Sequence, residues 1–435
     1  MNKNMKLGIT AAMTLALAGC PSKKSDEASV APPKKLYVSS GLCHAGLGIT
    51  AYPAVAAAGV STASRAITRW NSDNGSFIDT FLDLNQVTTF SAATFPQSAL
   101  DSGDSILLLT ENGTNFGDRQ ITRINKADTN VKSVYSADTN AFTNVAAHIT
   151  RSMARDTDGT VIFSRSLFAE RLSGTGTRIT KGGAANPWIN SAALTGTCFN
   201  AAAALISKVI IMPPFSTESN GKMIFAHSAA TAVTNRIGII SSNGLTSGAA
   251  ADCLAGVQIS STQHKDLDGT TNLPASGTPG GLNALGPAVT GMVYIPTPAP
   301  ATTTGKLIVT YSAPVNTAFD NTTNINFAIV AWDVNETSAS AATLVAPQVL
   351  YKNSAILVTP STIAYDASTS SIFVGVGSAP GQVTQVANNA GFNIEKFTLN
   401  LSSAVPTLTR VAPTNSPFIV GTAQTRCISD IMIAD

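Results

Sequence analysis

Three observations predict an all-β chain that closes on itself as a ring of six four-stranded antiparallel blades, a β-propeller. Short apolar runs recur at intervals of roughly 55 to 85 residues, too long for β-helix turns and too short for β-sandwich units. Tight-turn dipeptides stand between neighbouring runs. The two ends of the repeat each hold half of one unit, so the ring closes when the last strand pairs with the first.

The second strand of each unit is the clearest. It reads Leu36-Tyr37-Val38, Ile106-Leu107-Leu108, Val161-Ile162-Phe163, Met223-Ile224-Phe225, Leu307-Ile308-Val309 and Ile372-Phe373-Val374. Three consecutive apolar residues, rich in β-branched and aromatic types, are expected of a strand buried on both faces. An innermost strand precedes each, opening on a hydroxyl: Ser98, Ser152, Ser207, Thr290, Thr362 and Ser429. Third strands follow at Ala66, Gln120, Arg236, Phe327 and Ile394, and outermost strands at Phe77, Val131, Cys253, Thr343 and Thr407. Only in the third unit are the outer strands weakly marked, somewhere between Ala169 and Leu194. Asn74-Gly75, Asp158-Gly159, Asn220-Gly221 and Asn243-Gly244 supply residues that readily adopt positive φ in hairpin turns. The segment around Ile431 ends the chain with no second strand after it, while Leu36 begins the repeat with no innermost strand before it.

The N-terminus has a different character. Lys3 and Lys6 precede the uncharged run Leu7 to Ala18, long enough for a secretory leader and too short for a membrane span. Leu17-Ala18-Gly19-Cys20 resembles the lipobox of bacterial lipoproteins, which implies cleavage before Cys20 and acylation of its thiol. At about 0.8 kcal/mol per buried methylene, the acyl chains of such a lipoprotein make a lasting membrane anchor. Pro21 stands where enteric inner-membrane lipoproteins carry aspartate, so the resemblance implies the outer membrane. The reading divides the chain into a signal peptide (1–19), a polar, proline-bearing tether (20–35) and one propeller domain (36–435).

With Cys20 acylated, Cys43, Cys198, Cys253 and Cys427 remain, an even number in a compartment that permits disulfides. Spacing alone leaves all three pairings open. The predicted ring brings Cys427, at the start of a last strand running to Ala434, near Cys43, just after the first, which favours Cys43 with Cys427 and Cys198 with Cys253. A formal charge of +2, with no basic run interleaved with aromatics, offers no footprint for nucleic acid.

The stretch from Met153 through Asp156, Asp158 and Gly159 to Phe163, echoed by Ile363 to Asp366 and Ser371 to Val374, is similar to the inner hairpin of NHL, TolB-like and gluconolactonase-like six-bladed propellers. That resemblance implies an architecture that hosts binders, scaffolds and enzymes alike. Lactonase-like members place acidic and amide metal ligands in the channel, where the aligned positions here carry hydroxyls. Asp156, Asp158, Asp366 and Asp268 lack the further ligands of a calcium loop, and their expected role is to cap turns. His44, His148, His227 and His264 are scattered over different units and make no catalytic motif. No catalytic residue, metal ligand or cofactor is assigned. The binding candidates are the residues opening the innermost strands and their neighbours at the channel mouth: Ser98, Arg151, Ser152, Ser207, Lys208, Thr290, Thr362, Ser429 and Asp430. The small-residue insertion from Leu245 to Pro287 reads either as a recognition loop or as decoration of a blade. The expected function is a membrane-anchored envelope module that binds or scaffolds an envelope protein or surface ligand. A metal-dependent hydrolase with its site in the channel, and a surface adhesin, are the alternatives.

Overall fold

The computed structural model describes residues 34–40, 65–87, 94–112, 120–130, 132–136, 150–165, 168–180, 188–190, 198–199, 205–214, 221–228, 235–241, 253–283, 286–297, 304–312, 324–338, 340–353, 356–357, 360–376, 393–403, 405–411, 417–421 and 428–435. Cys20, Cys43, Cys427, His44 and His148 lie outside them.

The strands form six antiparallel sheets. β1 (Lys35–Ser40), β2 (Ala66–Asn71) and β3 (Phe77–Asp83) begin the first blade. β4 (Thr94–Asp101), β5 (Ser105–Asn112), β6 (Ile121–Asn125) and β7 (Lys132–Ser136) form the second. The third has β8 (Thr150–Arg155), β9 (Val161–Arg165) and β10 (Phe168–Leu172), with short β11 (Arg178–Ile179) and β12 (Ile189–Asn190) both paired to β10. β13 (Leu205–Ile211), β14 (Lys222–Ser228), β15 (Arg236–Ser241) and β16 (Cys253–Gln258) form the fourth. β17 (Ala288–Pro296), β18 (Gly305–Ser312), β19 (Ala328–Ser338) and β20 (Ala341–Tyr351) make the fifth. The sixth holds β21 (Pro360–Asp366), β22 (Ser371–Val376), β23 (Asn393–Asn400) and β24 (Thr407–Arg410). Finally β25 (Ile428–Ala434) returns to pair with β1, from Lys35 opposite Ala434 to Ser39 opposite Asp430. The ring is closed by the two ends of the propeller, as the half-units predict.

Each gap between neighbouring blades holds its own apolar cluster. Because side chains alternate across a strand, the run in the second strand of a blade feeds two clusters at once. Ile106 and Leu108 pack toward the first blade, Leu107 and Leu109 toward the third. The third blade departs from this scheme. Its outer part is held by buried ions: Glu170 lies between Arg165 (2.6 Å) and Arg178 (2.9 Å), and Arg171 pairs with Asp156 and stacks on Trp188.

Two of the turn dipeptides behave as expected, with Gly75 at φ 71° and Gly159 at φ 83°. Gly221 does not take a positive φ. It is required for a different reason, since a Cβ there would stand 1.9 Å from the Met212 carbonyl oxygen. Asn243-Gly244 lies outside the described residues.

The insertion before β17 is built into the fold over residues 259–283. Leu273 and Leu282 join the cluster between the fourth and fifth blades, Lys265 bridges to Gln348 on β20, and Leu282 bridges to Ile325. His264 anchors it, with Nδ1 2.7 Å from the Ser260 carbonyl and Nε2 2.9 Å from the Tyr311 hydroxyl, which also accepts the Trp332 indole N–H.

Burial pulls both His264 and His227 down to about 4. Above pH 6.5 both rings are neutral whether the chain is folded or unfolded. As pH falls from 6.5 toward 4 the unfolded chain takes up protons that the folded chain refuses, so stability is lost across that window. At roughly 1.4 kcal/mol per pH unit, each histidine costs on the order of 2 kcal/mol at pH 5. Denaturant titrations at pH 7.5 and pH 5 measure the loss. Among the described residues His227 has no hydrogen-bond partner for either ring nitrogen, and it packs edge-on against Phe199. His227→Leu is therefore expected to keep the stability seen at pH 7.5 and to remove about half of the acid sensitivity.

Candidate functional site at the centre of the ring

The innermost strands β25, β4, β8, β13, β17 and β21 surround a basin of about 160 Å³ on the ring axis. All six blades contribute to its wall. The geometry rests on one local feature repeated in every blade. Each innermost strand carries a register shift against the second strand of its own blade, placing one extra residue in the innermost strand. The extra residues are Gln97, Arg151, Ser207, Thr290, Ser361 and Ser429. Such a bulge bends the strand and re-aims the residue that follows. Those next residues, Ser98, Ser152, Lys208, Gly291, Thr362 and Asp430, all line the basin.

The bulge divides the sequence-predicted candidates into two sets. Ser98, Ser152, Lys208, Thr362 and Asp430 line the basin. Ser207, Thr290 and Ser429 stand one residue earlier, at bulges, where they bond to backbone or to a neighbouring strand. Ser429 Oγ lies 2.9 Å from the Pro96 carbonyl of the second blade and 3.2 Å from that of Ser39. Ser207 Oγ likewise reaches Ala226 of its own blade (3.2 Å) and Val289 of the fifth (3.3 Å). Thr290 Oγ1 is 3.0 Å from Thr310 Oγ1. A bulge leaves ladder carbonyls without their N–H, and a hydroxyl at the extra residue satisfies them. Arg151 occupies the bulge of β8.

Asp430 organises the basin wall. Its Oδ2 accepts from the Ser98 hydroxyl (2.7 Å) and the Ala99 N–H (3.0 Å), both on the second blade. Its Oδ1 accepts from the Thr362 hydroxyl of the sixth blade (3.3 Å) and the Ile431 N–H (3.0 Å). One carboxylate thus joins the closing strand to both neighbours. The pattern continues around the ring, with Met153 N–H donating to Ser98 Oγ (3.2 Å) and Val209 N–H to Ser152 Oγ (3.3 Å). At the fifth blade the ring position is Gly291, because a Cβ there would stand 2.7 Å from the backbone nitrogen of Ile363.

These residues do not fit a lactonase-like metal. Among the described residues Asp430 is the single carboxylate of the wall, and four donors already engage it. Among the described residues, no three His, Cys, Asp or Glu side chains are grouped to hold a metal ion. The turn aspartates are likewise engaged. Asp158 accepts from the N–H and hydroxyl of Thr160, and Asp268 from the N–H groups of Thr270 and Thr271. Asp156 accepts the Gly221 N–H of the fourth blade (2.8 Å) besides pairing with Arg171. Burial opposes ionisation of Asp366, yet Lys34 Nζ at 2.9 Å and the Ser368 and Thr369 hydroxyls hold its carboxyl at about 2.

Of the two expected disulfides, Cys198–Cys253 is formed. The other pair falls outside the described residues.

No family model matches the chain, and no curated protein does either. Among solved structures it is similar to hydrazine synthase of Kuenenia stuttgartiensis, at 12% identity over 74% of this chain and 67% of that one, with a TM-score of 0.39. It is also similar to a gluconolactonase of Xanthomonas campestris, at 8% identity over 65% and 82% of the two chains, with a TM-score of 0.26. A third is PorZ, a surface component of the type-IX secretion system of Porphyromonas gingivalis, at 13% identity over 79% of this chain and 39% of that one, with a TM-score of 0.38. At these scores the likenesses carry no argument about activity; the propeller rests on the strand pairings of this chain.

Proposed function

We propose that this chain is an exported lipoprotein, acylated at Cys20 and held at the outer membrane, whose ring is a binding module with the central basin as its recognition site. The observation that carries the reading is the basin itself: a polar recess walled by all six blades, whose hydroxyls and carboxylate are committed to one another and to backbone. Such a wall is pre-organised to present shape and charge. Lys208 brings the cationic charge of the wall. The Cys198–Cys253 bridge supports export, because such bonds persist in oxidising compartments.

Two measurements test the reading. Labelled palmitate should enter the parent chain, and Cys20→Ser should lose the label and move to the soluble fraction. Affinity capture from envelope extract with the full chain should retain a species that Lys208→Glu fails to retain at an unchanged melting temperature. Equal retention by both proteins would remove the basin from the proposal while leaving the anchor standing.

A further inference from the structure

The position of Lys34 fixes which face of the ring an N-terminal anchor can hold toward a membrane. Lys34 directly precedes β1, and the first residue of β1, Lys35, lies opposite Ala434 at the far end of β25. The Lys34 Nζ pairs with Asp366, the last residue of β21, where that strand turns toward β22. Lys34 therefore sits on the face that carries the turns from each innermost strand to the second. Those turns are short at 102–104, 156–160 and 367–370. Most connections that cross the opposite face are longer, as between β7 and β8, β16 and β17, and β18 and β19, although β9 and β10 are joined there by two residues and β13 and β14 on the first face by ten. One of the longer ones contains the packed insertion 259–283, bridged to Ile325 and to Gln348 of β20, with Gly269 reaching Val405 beside the outermost strand β24.

We infer that the anchored ring stands with its short-turn face toward the bilayer and presents the long-connection face, with the 259–283 insertion, to water. The inference rests on the acyl-anchor reading above. Fourteen Cα steps separate Cys20 from Lys34, which span at most about 50 Å when fully extended. A compact domain of some 400 residues is about 55 Å across, from a radius of gyration near 21 Å. β1 is the second strand from the axis. To turn the ring over, the tether would have to run from near the axis to the rim and then past the ring's thickness, using its whole length in a taut line. Chain entropy opposes that, so the short-turn face stays nearest the anchor.

The test uses the full lipidated chain in vesicles that carry a quencher on the lipid headgroup. Single fluorophores are placed by Asp104→Cys and Ala367→Cys on the short-turn face, and by Gln263→Cys and Ala275→Cys on the insertion; all four positions are exposed. The parent chain, labelled identically, gives the background, and variants are used only if they melt with the parent. Quenching should be several-fold stronger at 104 and 367 than at 263 and 275. Equal quenching, or the reverse order, in protein that floats with the vesicles overturns the orientation alone. A parent chain that fails to float, or a Cys20→Ser variant that floats equally well, sinks the anchor reading and takes the orientation with it.

Discussion

Deleting residues 428–435 is expected to abolish cooperative folding, leaving a chain that aggregates or elutes as an expanded species in size-exclusion chromatography. β25 is the innermost strand of the first blade, and it serves two blade interfaces. Ile428 and Ile431 enter the cluster shared with the sixth blade, while Met432 and Ala434 enter the one shared with the second. Burying each large side chain is worth about 1.5 to 3 kcal/mol, so three of them supply a large part of the roughly 5 to 15 kcal/mol that holds a typical domain together. The deletion also removes the Asp430 carboxylate and the Ser429 hydroxyl from the seam. What remains is an open ring with the edge of β1 exposed, a template for pairing with other chains. A point variant separates seam chemistry from burial. Asp430→Ala keeps the strand but leaves the Ser98 and Thr362 hydroxyls and the Ala99 N–H without their acceptor. At about 1 to 3 kcal/mol for a buried donor left unpaired, it should lower the denaturation midpoint clearly while still melting cooperatively. A truncated chain that melts within a few degrees of the parent would show that the blades fold independently of closure.

The elements legible in the sequence were those buried on both faces. Leu107 and Leu108 point into different inter-blade clusters, so the strand reads as an unbroken apolar run and stands out without any periodicity. Closure was legible for the same reason, since a lone innermost strand at one end and a lone second strand at the other can satisfy their ladders only together. The basin was legible only to within one residue. Hydroxyls suit both the bulge, where Ser207 and Ser429 bond to carbonyls, and the ring position, where Ser98 and Thr362 bond to Asp430. Aligning the hydroxyls therefore merged two structural positions: it put Ser207, Thr290 and Ser429 at the channel beside Lys208 and Asp430, which do line the basin, and passed over Gly291. The outer part of the third blade was obscure because Glu170, Arg171 and Arg178 do the work that apolar residues do elsewhere. Hydrophobic patterning cannot see an ionic core, although the spacing of opposite charges in that segment was the available signal.

The Cys198–Cys253 bridge carries the second large expectation. It ties a buried residue, packed with Phe199 and Phe225 between the third and fourth blades, to the first residue of β16, across 55 residues of chain. In the chain-entropy account a closed loop of that length limits the unfolded ensemble enough to stabilise the fold by about 4 kcal/mol. The Cys198→Ala, Cys253→Ala pair should lose about that much in denaturant unfolding, and each single variant nearly as much, since neither can close the loop. A double variant within about 1 kcal/mol of the parent, no more than an ordinary point substitution costs, would show that packing around Phe199 alone fixes the segment. The same quantity bears on where the protein works. A chain lacking residues 1–19 and made in a reducing cytosol should carry at least the deficit of the double variant, and oxidation after purification should restore it. If the leader-less chain is instead equally stable reduced and oxidised, the bridge contributes nothing to the fold and ceases to support export.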